Sequence, residues 1–276
     1  MVSFELESLL RHCLQEDIGT GDITSESCVP ADARAKGVLI AKEPGVICGI
    51  KVARRVFEIV SPEIELLIRL KDGESASAGE TIGTLTGPAR GVLTGERVAL
   101  NFLQRLSGIA TRTQACVRQV AGTGAAIVDT RKTTPGLRVL EKYAVRMGGG
   151  SNHRFGLSDG VLIKDNHIVA AGGITPAVQA ARERAPHTIK IEVEAESVEQ
   201  ALEAVTAGAD IIMLDNMEPE MMTAAVTAID GRALTEASGN MDRRDLRQVA
   251  LTGVDLISIG ALTHTVKAMD ISLRFL

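Results

Sequence analysis

The chain has 276 residues, 45% hydrophobic and 24% charged, which excludes a disordered chain and allows one large domain or two modest ones. Its 30 Lys and Arg against 35 Asp and Glu leave a net charge of −5, with no domain-wide basic field to support general nucleic-acid binding. No run of about 18 or more uncharged apolar residues occurs, so no membrane-spanning helix is expected.

The opening stretch, Met1 to Asp17, mixes apolar residues with Glu5, Glu7, Arg11, Glu16 and Asp17. It reads as a charged helix over about residues 5–15 and not as a signal peptide. Strand-like runs follow at 37–42, 45–50, 64–70 and 81–85, separated by the turn signals Glu43-Pro44-Gly45, Lys71-Asp72-Gly73 and Gly87-Pro88. They predict a small α+β layer with antiparallel strands. Residues 71–87 resemble the hairpin of biotinyl and lipoyl modules, but Ser75-Ala76-Ser77 stands where the attachment lysine would be. A structural hairpin without a covalent cofactor is expected. Val98, Phe102, Leu106 and Ile109 then recur at helical spacing within a long helix over about 92–121. Cys13, Cys28, Cys48 and Cys116 are scattered, with no CxxC pair and no metal spacing, as expected of thiols in a reducing cytoplasm.

From Ala125 the texture changes. Aliphatic runs at 126–129, 161–164, 189–193, 211–214, 233–235 and 256–259 alternate with helical stretches. This repeated β-then-α pattern predicts a parallel sheet with right-handed crossovers. With no Trp, one Tyr and five Phe, its core must be aliphatic. No GxGxxG follows the first run, so the dinucleotide signature is missing. All six runs end in polar, charged or glycine residues: Asp129 to Lys132, Lys164 and Asp165, Glu192 and Glu194, Asp215 and Asn216, Glu236 to Gly239, and Gly260. In an α/β barrel such ends share one rim, where active sites are built. Six readable strands imply a barrel smaller than the eight-stranded one.

Arg131, Lys132, Arg154 and Lys164 are cations at that rim, with Thr130 and His153 beside them. Such a cluster calls for an anionic substrate: Arg suits planar carboxylates, Lys a phosphate. Glu194 and Asp215 close neighbouring strands. Three roles fit them: holding Mg²⁺ with a substrate phosphate, stabilising a developing cation on a sugar, or simply neutralising the basic residues. Ser238-Gly239-Asn240 and Ile259-Gly260-Ala261 follow the last two strands, where barrels often bind phosphate, although each loop alone also reads as a plain turn. The glycine-rich segment 147–154 delivers His153 and Arg154.

These segments together resemble the type II phosphoribosyltransferases, and within them the quinolinate phosphoribosyltransferases. The matching stretches are EDIGTGDITS at 16–25, GERVALNFLQRLSGIAT at 95–111 and DTRKTTPGLRVLEKYAVRMGGGSNHRFGLSDGVLIKDNHI at 129–168, followed by IEVEAES at 191–197, IIMLDNM at 211–217, EASGNM at 236–241 and SIGALTH at 258–264. The resemblance implies an α/β fold: an N-terminal α+β open sandwich over 1–108, an incomplete, six- or seven-stranded α/β barrel over 109–265, and a tail, 266–276, packed on the sandwich. It implies a cytoplasmic homodimer that joins quinolinate to phosphoribosyl pyrophosphate with Mg²⁺, releasing pyrophosphate and CO₂. In that scheme Arg131, His153, Arg154 and Lys164 bind quinolinate, Thr130 contacts substrate, and Arg97 enters the neighbouring subunit's site. Lys132 contacts the phosphoribosyl diphosphate, Glu194 and Asp215 face the ribose and Mg²⁺, and the backbone at Ser238, Gly239, Asn240, Ile259, Gly260 and Ala261 holds the 5′-phosphate. Three other readings stay open: the same fold with a monocarboxylate acceptor, a phosphate-binding barrel without turnover, and an aldolase using Lys164 as a Schiff-base lysine.

Overall fold

The computed structural model describes residues 4–276, and the helix expected over about residues 5–15 lies within them. The described chain forms two compact units. The first takes the residues up to Gln114, then Pro135–Gly149 and Thr265–Leu276; the second takes Ala115–Thr134 and Gly150–His264. The chain therefore passes between the units four times.

In the first unit, α1 (Phe4–Ile18) and α2 (Ile23–Cys28) precede β1 (Arg34–Ala41), β2 (Gly45–Val46), α3 (Ile50–Val60), β3 (Glu65–Ile68), β4 (Ser75–Ala76), β5 (Thr81–Pro88) and α4 (Ala89–Gln119), the last running on into the second unit. The run expected as a strand over 45–50 yields only two strand residues. At Ile50 the chain turns helical, because Asp72 Oδ1 accepts the N–H groups of Gly49 and Ile50 (2.8 and 2.9 Å) and so satisfies the helix start. The hairpin expected over 71–87 is also corrected: β4 pairs with β2, while β5 pairs with β1 and β3. The antiparallel sheet runs in the order β12-β1-β5-β3, its outer strand β12 (Ile271–Phe275) being the C-terminal tail. α3 buries Ile50, Val52, Ala53, Val56 and Phe57 along one stripe, and Phe57 packs against Gly95 of α4. Gly108 of α4 admits the C-terminal segment: a Cβ there would lie 2.1 Å from the Lys267 carbonyl oxygen. After the second unit's first strand the chain contributes α5 (Arg138–Met147) to this unit.

The second unit holds β6 (Ala126–Val128), β7 (Val161–Ile163), α6 (Asp165–Ala171), α7 (Ile174–Arg184), β8 (Ile191–Ala195), α8 (Val198–Ala207), β9 (Ile211–Asp215), α9 (Pro219–Ile229), β10 (Leu234–Ser238), α10 (Leu246–Leu251), β11 (Leu256–Ser258) and α11 (Ala261–His264), with a single 3₁₀ turn at Met241–Arg243. All six strands pair in parallel, in the order β6-β11-β10-β9-β8-β7. Their interior residues are aliphatic and buried: Ile127, Val128, Ile163, Val193, Ile212, Leu214, Ala237 and Ile257. Beyond β6 the chain makes one further parallel bridge, Val128 to Ser151. The sheet is rolled, since His153 beside β6 reaches Glu192 on β8, four strands along, yet β6 and β7 do not pair. It is an incomplete barrel of six strands and one bridge. No helix among the described residues is long and apolar enough to cross a membrane.

Replacing Gly108 by Ala should lower stability by about 1–3 kcal/mol, because a backbone carbonyl has to move to admit the methyl group. Urea denaturation of the variant against the parent chain checks this.

Candidate active site

Short parallel strands send their C-terminal ends to one rim, and the sheet order fixes who meets whom there. From the β7 edge to the β6 edge the ends present Lys164, Glu194, Asp215, Ser238 to Asn240, Ile259 to Ala261, and Thr130 to Lys132, with His153 and Arg154 in the loop beside β6. The cations thus stand at the two edges, and the acids and glycine loops fill the arc between them.

Lys164 ends β7 and its ammonium pairs with Glu194 Oε1, while its N–H donates to His167 Nδ1 (3.0 Å). Glu194 lies opposite Met213 in the β8–β9 register, so Asp215 projects from the same face two residues further on. Asp215 accepts from Asn216 Nδ2 (2.7 Å). Both carboxylates are partly exposed, hard oxygen donors at a rim, a donor set that suits Mg²⁺ completed by substrate oxygens.

The glycine loops are tightly specified. Gly239 has φ +96°, and a Cβ on it would fall 2.2 Å from Asn216 Oδ1 and 2.8 Å from Asn216 N. Only glycine lets the β10 loop settle against the end of β9. A Cβ on Gly260 would meet Cδ of Lys132 at 2.9 Å, and Thr263 Oγ1 donates to the Lys132 carbonyl (2.8 Å), so Lys132 is held over the β11 loop. Thr130 Oγ1 accepts the Lys132 N–H (3.0 Å).

Beneath this rim lies a layer that sequence reasoning misplaced. Asp129, Glu192 and Glu236 were read as rim residues alongside Arg131, Glu194 and Ser238; they are buried one step inside it. The signal was present, because side chains two apart on a strand share a face, and each of these acids stands two residues before a rim residue. Asp129 accepts from Asn152 Nδ2 (2.5 Å) and from the His153 N–H (2.9 Å). His153 Nε2 lies 2.9 Å from Glu192 Oε2 and 3.8 Å from Glu236 Oε2, and its Nδ1 accepts the Arg154 N–H (2.7 Å). Both ring nitrogens are thus engaged within the protein. Among the described residues, these three form the one group of three or more potential metal ligands whose ligand atoms lie within 4.8 Å of one another.

Glu236 keeps neither oxygen hydrogen-bonded, while the nearby Ser258 hydroxyl turns to the Ala237 carbonyl (3.5 Å). Burial, then the neighbouring Glu192 charge, push its carboxyl up to about 7. Arg154 donates Nη1–H to the Gly160 carbonyl (2.8 Å), whereas its buried Nε finds no acceptor in the protein. Burial, then Arg131 close by, lower its pKa; two half-buried guanidiniums this close favour an incoming anion.

A family model described as the quinolinate phosphoribosyl transferase C-terminal domain matches residues 109–274, and its N-terminal counterpart matches residues 22–107. The chain belongs to the quinolinate phosphoribosyltransferase family. It is 47% identical to a probable nicotinate-nucleotide pyrophosphorylase [carboxylating] of Bacillus subtilis, covering 99% of this chain and 94% of that one. It is 40% identical to a quinolinate phosphoribosyltransferase [decarboxylating] of Nicotiana tabacum, covering 99% of this chain and 83% of that protein. The solved structure of the nicotinate-nucleotide pyrophosphorylase from Francisella tularensis superposes with a TM-score of 0.95 at 41% identity, covering 99% and 96% of the two chains. Members of the quinolinate phosphoribosyltransferase family thus share both units of this fold.

A raised carboxyl pKa stabilises the fold while the group is protonated, and that contribution is lost as pH rises through the folded value. The melting temperature should therefore fall between about pH 4.5 and 7 more steeply in the parent chain than in Glu236→Gln, whose amide does not titrate. Thermal melts of both proteins across that range measure the difference in slope.

Proposed function

We propose that this chain transfers the phosphoribosyl group of phosphoribosyl pyrophosphate to the ring nitrogen of quinolinate, with loss of CO₂, giving nicotinate mononucleotide and pyrophosphate on the way to NAD. The observation that carries this reading is the order of groups around the rim: cations at both edges of the rolled sheet, with two acids and two glycine loops between them.

The dianionic pyridine takes the cations. Arg131 and Arg154 grip a planar carboxylate through parallel hydrogen bonds, and Lys164 adds a point charge. The 5′-phosphate of the ribose lies on the backbone of Ser238 to Asn240 and Ile259 to Ala261, with Lys132 over the β11 loop reaching the diphosphate. In this arrangement the ring nitrogen faces the anomeric carbon in line with the departing pyrophosphate, which removes much of the entropic barrier. Positive charge grows on the ribose as the bond to pyrophosphate lengthens. Glu194 and Asp215 face it as fixed negative charges, and such preorganised electrostatics are usually the largest catalytic contribution. The same two carboxylates would hold Mg²⁺, which when bound screens the diphosphate and eases its departure. Once alkylated, the ring nitrogen is cationic, so the ring accepts the electron pair released with CO₂, and the vacated carbon takes a proton.

In this proposal the enzyme works in the cytoplasm as a homodimer. Arg97, exposed on α4 in the first unit, completes the site of the neighbouring subunit. A monocarboxylate acceptor would leave part of the cation cluster without a counter-charge, which favours the dicarboxylate.

The deciding assay incubates the purified chain with quinolinate labelled in the carboxylate adjacent to the ring nitrogen, phosphoribosyl pyrophosphate and Mg²⁺. Labelled CO₂ is the expected product; turnover of nicotinate in its place would move the chain to the monocarboxylate reading. In the same assay Arg131→Ala should raise the KM for quinolinate by about tenfold or more with little change in melting temperature, since a charge-assisted pair is lost at a half-buried position. Glu194→Gln should lower kcat by about 10² or more at nearly unchanged quinolinate KM, the pattern of an interaction made chiefly in the transition state.

A further inference from the structure

The rim accounts for substrate contact and leaves the buried layer beneath it without a task. The loop that carries Arg154 is tied to that layer at successive points. Asn152 Nδ2 and the His153 N–H both end on Asp129, the Arg154 N–H ends on the His153 ring, and that ring stands 2.9 Å from Glu192. The ring's protonation follows from these partners. Nδ1 accepts a backbone N–H, so its lone pair is in use and the ring proton sits on Nε2. Nε2–H then faces Glu192 Oε2 at 2.9 Å, with Glu236 Oε2 further off at 3.8 Å.

We propose that Glu192 is a positioning residue for the carboxylate grip: it locks His153 as the Nε2–H tautomer, and the ring, through Nδ1, holds the Arg154 backbone and so aims its guanidinium. The inference rests on the reading above of Arg154 as a substrate ligand. It explains why a residue expected to touch quinolinate has both ring nitrogens turned to the protein. It also explains how the Arg154 side chain, fastened by Nη1 to Gly160, keeps a buried Nε directed at no protein acceptor. The same tautomer answers the alternative that His153, Glu192 and Glu236 form a cation site. A protonated Nε2 has no lone pair for a metal, so His153 and Glu192 stand as a donor and acceptor pair with Glu236 beside them.

The test has a spectroscopic arm and a kinetic arm. In ¹⁵N-histidine-labelled parent protein, with His153 assigned by its loss in His153→Gln, the imidazole should show a protonated Nε2 and a bare Nδ1. The pattern should persist when Zn²⁺ or Mn²⁺ is added. A proton on Nδ1, a doubly protonated ring, or a metal-induced shift at Nε2 would overturn the inference, and this arm needs no variant of Glu192 that folds. In the kinetic arm Glu192→Met, which removes the acceptor, should raise the quinolinate KM by about tenfold or more while the KM for phosphoribosyl pyrophosphate moves by less than about twofold. Glu192→Gln, whose amide oxygen still accepts from Nε2–H, should restore quinolinate KM to within about threefold of the parent. Equal KM values in Glu192→Met and the parent would also overturn it. A parent protein that releases no CO₂ overturns the functional reading itself; one that turns over quinolinate with an Nδ1–H ring overturns this inference alone.

Discussion

A carboxylate inside an aliphatic barrel must be given hydrogen-bond donors or a proton, and the second unit does both within one layer. Asp129 receives two donors from the loop after the β6 bridge. Glu192 has the His153 ring 2.9 Å away, and Glu236, given no donor, has its pKa pushed to about 7. The glycine loop is therefore not a free tether: its donors are consumed by acids that cannot be left bare. Everything proposed for the rim depends on this fastening, because it fixes where Arg154 emerges.

The rim itself divides its labour by strand order. In the proposed reaction, the groups assigned to the negative acceptor stand on the flanking strands, and those assigned to the sugar and its 5′-phosphate stand on the middle ones. Lys164 and Glu194, neighbours across β7 and β8, already form an ion pair, so a substrate carboxylate has to compete for the ammonium. In the proposed reaction, part of the attraction for the dianion is thereby held in check, which favours ligands with two negative groups over those with one.

Much of this was legible in the residues. Aliphatic runs separated by helical stretches announced six parallel strands, and the strands fall close to those positions; the third and fifth extend further toward the rim, through Ala195 and Ser238. The long helix was legible from Val98, Phe102, Leu106 and Ile109, all buried. Other features depend on partners distant in sequence and carry no local signal. Ile50 starts a helix because Asp72, over twenty residues later, satisfies its N–H. Ser75 and Ala76 leave an apparent hairpin to pair with Gly45 and Val46. For the inner acids the signal was local: Glu192 and Glu194 share a face, and the one nearer the start of the strand stands deeper below the rim.

The chain's path between the units carries an evolutionary consequence. After β6 it leaves the second unit at Thr134, builds α5 in the first, and returns at Gly150, just ahead of the residues that bind Asp129. A gene fragment encoding the barrel as one uninterrupted block would include α5 without the rest of its own unit, and a fragment encoding the sandwich would lack both α5 and β12. Such an interleaved path resists shuffling by simple fusion, so the two halves are expected to be inherited together.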